Sequence, residues 1–234
     1  MRPDQGTRTP RERYRAQVRA EIKERAWEQI AAAGASALSL NAIAKQMGMS
    51  GPALYRYFAS RDELITALIR DAYRSLADTF GAAARTGPDL TALAHAMRDW
   101  ALADPQRYFL VYGTPVPGYH APDDVTTIAA EIMTTLLDAC AELPSPAPAS
   151  PLEKHLEAHL ATHRQWAADH PAPPAALHRA LTFWTRLHGT LSLELAGHYT
   201  GMGFDPALLF AAELADLTGI SQPPTPPSAS SAGR

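Results

Sequence analysis

The residues best suited to chemistry are Tyr55, Arg56 and Tyr57, a guanidinium between two phenols within the stretch Ser50–Phe58, SGPALYRYF. At about 100° per residue, Leu54 and Phe58 share one face, which must be the buried one. The opposite pole carries Pro52, Ala53 and Arg56, and the two tyrosines stand on the flanks. A short helix lying in the major groove of DNA needs this layout. Small residues permit close approach, a central fork can bond a guanine edge through two N–H groups, and hydroxyls at the margins reach the phosphate walls. Pro52 or Ala53 could touch a thymine methyl. A solvated amphipathic helix with two half-buried tyrosines would show the same pattern, so the neighbouring elements decide.

Those elements agree with the first reading. Ser39 is placed to cap a short helix in which Ile43 and Met47 stand one turn apart. Gly48 follows, where a left-handed C-terminal cap is wanted. Ser50 can cap a second helix with Gly51 and Pro52 in its first turn, where a missing N–H is tolerated. Two short helices joined by a brief glycine-containing turn form a helix-turn-helix. Ser60-Arg61-Asp62-Glu63 then reads as a capping box for a long helix beginning with Leu64, Ile65, Leu68 and Ile69. Arg61 puts a cation where the helix dipole is already positive, mildly unfavourable unless a phosphate lies nearby. Upstream, Val18, Ile22, Ala26 and Ile30 repeat at four-residue steps and Gly34 stops them, which predicts a first helix packed across the pair.

With these residues in view, the stretch of roughly 15–75 resembles the DNA-binding domain of the tetracycline-repressor family. The resemblance rests on Ile43-Ala44, Gly48-Met49-Ser50, Leu54-Tyr55-Arg56-Tyr57-Phe58 and Arg61-Asp62-Glu63-Leu64 at fixed spacing. It implies phosphate contact by Tyr55, Tyr57 and Arg61 and base contact from Ser50 to Arg56. The expected DNA-facing set is therefore Ser39, Ser50, Gly51, Pro52, Ala53, Tyr55, Arg56, Tyr57 and Arg61. Two departures stand out. Arg61 occupies a position where the family usually has lysine, and its fork has stricter geometry. Gly51-Pro52 removes side-chain donors from the start of the reading helix, which shifts weight towards apolar contact and DNA shape.

Charge supports the assignment through its distribution. The net charge of the 234 residues is −3, yet residues 1–61 hold 11 Lys/Arg against 5 Asp/Glu, and residues 62–234 hold 10 against 19. A basic N-terminal quarter on an acidic body is the footprint of one DNA-facing end. Residues 1–13 read as a disordered basic arm able to enter a minor groove or add non-specific attraction. The helix-turn-helix domain is expected over 14–62, a regulatory and dimerisation domain over 63–220, and a disordered tail over 221–234. No apolar run is long enough to span a membrane and the N-terminus is no secretory signal. A single Cys140 excludes an internal disulfide, so the cytoplasm is the expected compartment.

No strand pattern follows the long helix, and the predicted fold is all-α: a three-helix DNA-binding domain followed by a helical bundle. Further helices are expected at Leu90–Ala103, Pro105–Tyr112, Asp123–Ala141, Leu152–Asp169, Pro174–Tyr199 and Asp205–Leu217, with a stiff linker over 144–151. Trp184-Thr185-Arg186-Leu187-His188-Gly189, together with Tyr112–Tyr119, resembles the Trp-His-Gly type of C-terminal regulatory domain in the same family. In that family the last two long helices form a dimeric four-helix bundle, here about 175–199 and 205–218. Gly189 within a helix costs about 1 kcal/mol against alanine, and a close helix crossing is the expected compensation.

His155, His159 and His163 share a stripe with Leu152, Leu156, Leu160 and Trp166. Histidines four apart can ligate a metal, but lining an interior cavity is the favoured expectation, and no metal or cofactor is predicted. Trp100, Tyr108 and Tyr112, His159, His163 and Trp166, and Trp184 with His188 are the candidate lining of an effector pocket. The expected function is a ligand-released, homodimeric repressor on a palindromic operator in double-stranded DNA. The competing reading is an all-helical enzyme or metal-binding protein that keeps a structural helix-turn-helix. It lacks a nucleophile motif, a phosphate-cradling loop and a dinucleotide fingerprint.

Overall fold

The computed structural model describes residues 9–113, 122–144 and 150–219. The arm as far as residue 8, most of the Tyr112–Tyr119 motif, the middle of the linker and the tail lie outside them. Among the described residues all regular structure is helical, as the periodicity predicts. None of the helices is long and apolar enough to cross a membrane.

The chain divides into two compact units, Met1–Ala82 with Asp99–Met133, and Ala83–Arg98 with Thr134–Arg234. In the first, α1 (Pro10–Ala33) begins inside the segment expected as a disordered arm. Thr9 Oγ1 accepts the Glu12 N–H at 3.3 Å, and the Glu12 carboxylate accepts the Thr9 N–H at 2.8 Å. That capping box, with Pro10 in the first turn, supplies the start signal. Val18, Ile22, Ala26 and Ile30 bury one stripe of α1 against α2 (Leu40–Gln46), α3 (Gly51–Tyr55) and the first turns of α4 (Arg61–Ala83). Leu64, Ile65 and Leu68 belong to that same core. The packing therefore continues through the boundary expected at 62/63.

Farther along this unit, α6 (Pro105–Tyr112) and the start of α7 (Asp123–Glu142) accompany α4. Arg70 donates to Asp124 and Arg74 to Glu131, each at 2.5 Å. Trp100 Nε1, on α5 (Leu90–Ala103), donates to Ser75 Oγ at 3.1 Å. The 23 residues of α4 extend roughly 35 Å at about 1.5 Å per residue.

The second unit is built on α8 (Pro151–Thr162), α9 (Pro174–Leu195) and α10 (Pro206–Thr218). Leu177, Ala180, Phe183, Leu187 and Leu191 form the buried stripe of α9. Arg98 donates to Glu194 at 2.6 Å with both side chains largely buried, and its guanidinium lies 5.5 Å from the Phe210 ring. Arg179 holds the end of α7 by donating to the carbonyls of Cys140, Leu143 and Pro144, which α7 cannot pair internally. Helix α8 stops at Thr162, not at Asp169 as expected: His163 leaves helical geometry at φ −115° and ψ 63°, and a 3-10 turn covers Gln165–Ala167.

The surroundings of Gly189 within this chain are open. It is exposed, and a Cβ built there would meet nothing within 4 Å, so no helix of the described chain crosses it closely. Cys140 is fully buried, and burial pushes its thiol up to about 12. It should resist a disulfide reagent in the native protein at pH 8 and react fully after denaturation; thiol titration in both states checks this.

Candidate nucleic-acid interface

Local sequence sets the two short helices. Ser39 Oγ accepts the Ala42 N–H at 3.3 Å and opens α2. Gly48 sits at φ +64°, a left-handed conformation that side-chain-bearing residues rarely adopt, and it turns the chain towards α3. Ser50 occupies the N-cap of α3 without a side-chain hydrogen bond, so capping by its hydroxyl, expected from sequence, is not seen. Proline in the first turn and anchoring by Leu54 serve in its place.

Helix α3 is short, and Arg56 and Tyr57 continue it as a turn. Leu54 and Phe58 are fully buried, while Ser39, Ser50, Pro52, Tyr55 and Arg56 are exposed. Gly51, Ala53 and Tyr57 are half-buried. The predicted polarity of the reading helix is thus present, with a free guanidinium and the Tyr55 phenol on its outer side.

What sequence reasoning missed is the support behind that surface. Arg15 on α1 donates to the backbone carbonyl of Arg56 at 3.2 Å, and Arg19 donates to that of Tyr57. The Arg19 guanidinium also lies 4.0 Å from the Phe58 ring centroid and 3.7 Å from Glu63. These carbonyls close the C-terminal end of the reading helix, where cations are favoured. The available signal was the four-residue spacing of Arg15 and Arg19 on either side of Val18.

Arg61 has a different setting from the one its position implied. Its guanidinium donates to the carbonyls of Ala35 at 2.7 Å, Leu38 at 3.1 Å and Ser36 at 3.2 Å. The unfavourable placement at the start of α4 is offset by the carbonyl end of the turn Ala35–Ala37, with no phosphate needed. The capping box is also modified. Ser60 Oγ accepts the Glu63 N–H at 3.0 Å, but the Glu63 carboxylate reaches back to the Ala59 N–H at 2.6 Å.

Of the residues expected to line an effector pocket, some belong to each unit. Trp100 and Tyr108 are buried in the first unit, and the Tyr108 and Tyr112 rings lie 5.5 Å apart. Burial raises the Tyr112 phenol well above the usual tyrosine range. Trp184 and His188 pack against each other at 4.3 Å in the second unit, and Trp166 is half-buried in the 3-10 turn. The expectation that His159 and His163 face an interior cavity is overturned. Both are exposed, as are His155, Leu152 and Leu156; of the α8 residues on that stripe only Leu160 is buried, and α8 meets α9 beside it through Glu157 and His178.

Desolvation lowers His188 to about 4, so it is neutral at physiological pH. A folded-state value below the unfolded ~6.5 means that the unfolded chain takes up the proton first as pH falls. Stability from this residue is complete above about 6.5 and is lost towards 4, a change of about 3 kcal/mol in all. His188→Gln should flatten the decline in melting temperature between pH 6.5 and 4.5, as followed by circular dichroism.

A buried-backed short helix presenting a guanidinium and a phenol, behind a capped partner helix and a glycine turn, defines a helix-turn-helix DNA-binding unit. The chain belongs to the tetR family of bacterial regulatory proteins: residues 22–68 match that family's N-terminal model, and residues 90–217 match the model of a tetracyclin repressor-like C-terminal domain. It is a transcriptional regulator of that family, joined to a helical C-terminal domain. The HTH-type transcriptional regulator Rv1816 of Mycobacterium tuberculosis is 36% identical over 222 residues, covering 88% of this chain and 93% of the relative. The counterpart Mb1846 of Mycobacterium bovis matches to the same extent. Among solved structures, regulatory protein SCO4313 is 72% identical with a TM-score of 0.81, over 90% of this chain and all of the other. A protein of unknown function from Rhodococcus sp. RHA1, at 22% identity and TM-score 0.60 over 88% of this chain and 95% of that one, shares the fold.

Proposed function

We propose that the chain is a cytoplasmic, homodimeric repressor that binds a palindromic operator in double-stranded DNA and is released by a small-molecule effector. The observation that carries this reading is the outer surface of α3: Pro52, Tyr55 and Arg56 exposed over a fully buried Leu54 and Phe58. In the proposed complex Arg56 bonds base edges, Pro52 and Ala53 make apolar contact, and Tyr55, Tyr57, Ser39 and Ser50 position the helix on the backbone. We assign Arg61 to holding the Ala35–Leu38 turn.

One such helix offers few base contacts, and two-fold symmetry supplies a second copy to a palindrome. Helices α9 and α10 are the proposed dimer surface. Gly189 leaves bare backbone on an exposed face, and Leu193 and Leu208 on the same pair of helices are 44% and 70% exposed, which suits close packing against a second chain. The C-terminal half is proposed to be of the Trp-His-Gly type, from Trp184, His188 and Gly189. The buried aromatic group Trp100, Tyr108 and Tyr112 is proposed to meet the effector. An effector that favours one setting of α4 over another would change the spacing of the two reading helices, which B-DNA requires to be about 34–36 Å.

Selection of bound sequences from random DNA with the purified protein tests the reading. A palindromic consensus is expected; a flat sequence profile would refute it.

A further inference from the structure

We propose that His159 and His163 form a two-histidine clamp for a divalent transition-metal ion on the exposed face of α8. His159 lies in the last turn of α8 and His163 is the C-cap that ends it. Their rings lie 4.0 Å apart and only 12° from parallel. Two nitrogens bound to one ion at about 2.0–2.1 Å stand about 3 Å apart, a span of the same order as the separation of these rings.

Hydrogen bonding fixes which nitrogen is available. His163 Nδ1 lies 3.0 Å from the carbonyl oxygen of His159 and 2.9 Å from Thr162 Oγ1, whose own hydroxyl donates to that same carbonyl at 3.0 Å. A carbonyl only accepts, so Nδ1 carries the proton and Nε2 keeps its lone pair. A ligating histidine typically has its second nitrogen anchored to a carbonyl in this way. The site also lies at the carbonyl end of α8, where the helix dipole favours a cation. The histidines found in carboxylate pairs are others, His170 with Asp138 and His178 with Glu157.

Among the described residues no group of three or more histidine, cysteine or carboxylate side chains is arranged to hold a metal. The clamp therefore supplies two ligands and water completes the shell. Two imidazoles favour copper, nickel and zinc over magnesium or calcium, in the order copper above nickel and zinc.

The test is calorimetric titration of the full chain, without any affinity tag, with nickel(II) chloride. One ion per chain is expected, with affinity reduced at least about tenfold in His159→Ala and in His163→Ala. His155→Ala, one turn earlier on the same stripe, should bind like the parent. All three positions are exposed, and unchanged helicity by circular dichroism verifies folding. No heat of binding, an affinity in either clamp variant equal to the parent's, or loss only in His155→Ala would overturn the proposal. Operator selection is a separate readout, so either reading can fail while the other stands.

Discussion

Replacing Arg56 with alanine is expected to abolish discrimination of the operator while leaving the fold intact. The side chain is exposed, and only the Arg56 backbone carbonyl, which alanine retains, is held by Arg15. A bidentate guanine contact is worth about 1–3 kcal/mol, and a dimer loses it twice. Specific affinity should therefore fall from about 30-fold to about 10⁴-fold. Binding to unrelated DNA should change little, since it depends on the summed basic charge. Titration of operator and scrambled duplexes at one salt concentration reads both quantities. An operator affinity equal to that of the parent protein would remove Arg56 from the base-reading role.

Phe58→Ala should act on the whole N-terminal unit. The ring is fully buried with Ile22, Leu54 and Leu64 in one core, and Arg19 packs over it at 4.0 Å. Truncating a buried phenylalanine costs about 3–5 kcal/mol through lost transfer energy and the cavity left behind. The first unit should unfold at markedly lower urea concentration, and specific and non-specific DNA binding should be lost together. That joint loss separates it from Arg56→Ala, in which only specificity disappears. An unfolding midpoint within error of the parent would mean that the Phe58 pocket collapses without cost.

Local signals were the legible part of this chain. Ser39, Gly48, Leu54 and Phe58 act over three or four residues of sequence, through a cap, a left-handed turn and one helical face, and each does so in the structure. The long-range assignments fared differently. The carbonyl partners of Arg61, on Ala35, Ser36 and Leu38, lie more than 20 residues away in sequence and were not legible from the local pattern. The histidines of α8 were expected to line a cavity, on a stripe they share by angle with Leu152, Leu156, Leu160 and Trp166. Periodicity shows that a face is distinct without saying which face meets α9. Gly189 was read as a crossing point from the cost of glycine in a helix, and its open surroundings show that no helix of the described chain makes that crossing.

The arginines that brace the reading helix and the Ala35–Leu38 turn bear on how tightly the protein tracks ionic strength. Arg15, Arg19 and Arg61 each have guanidinium nitrogens engaged by main-chain oxygens, so they contribute less to displacing cations condensed on the duplex than their number suggests. A logarithmic plot of operator affinity against salt has a slope of about −0.9 per neutralised phosphate. That slope should correspond to fewer phosphates than a tally of basic side chains in residues 1–61 would give. A molecule of this kind keeps more of its affinity in concentrated electrolyte, at the expense of long-range attraction to arbitrary DNA.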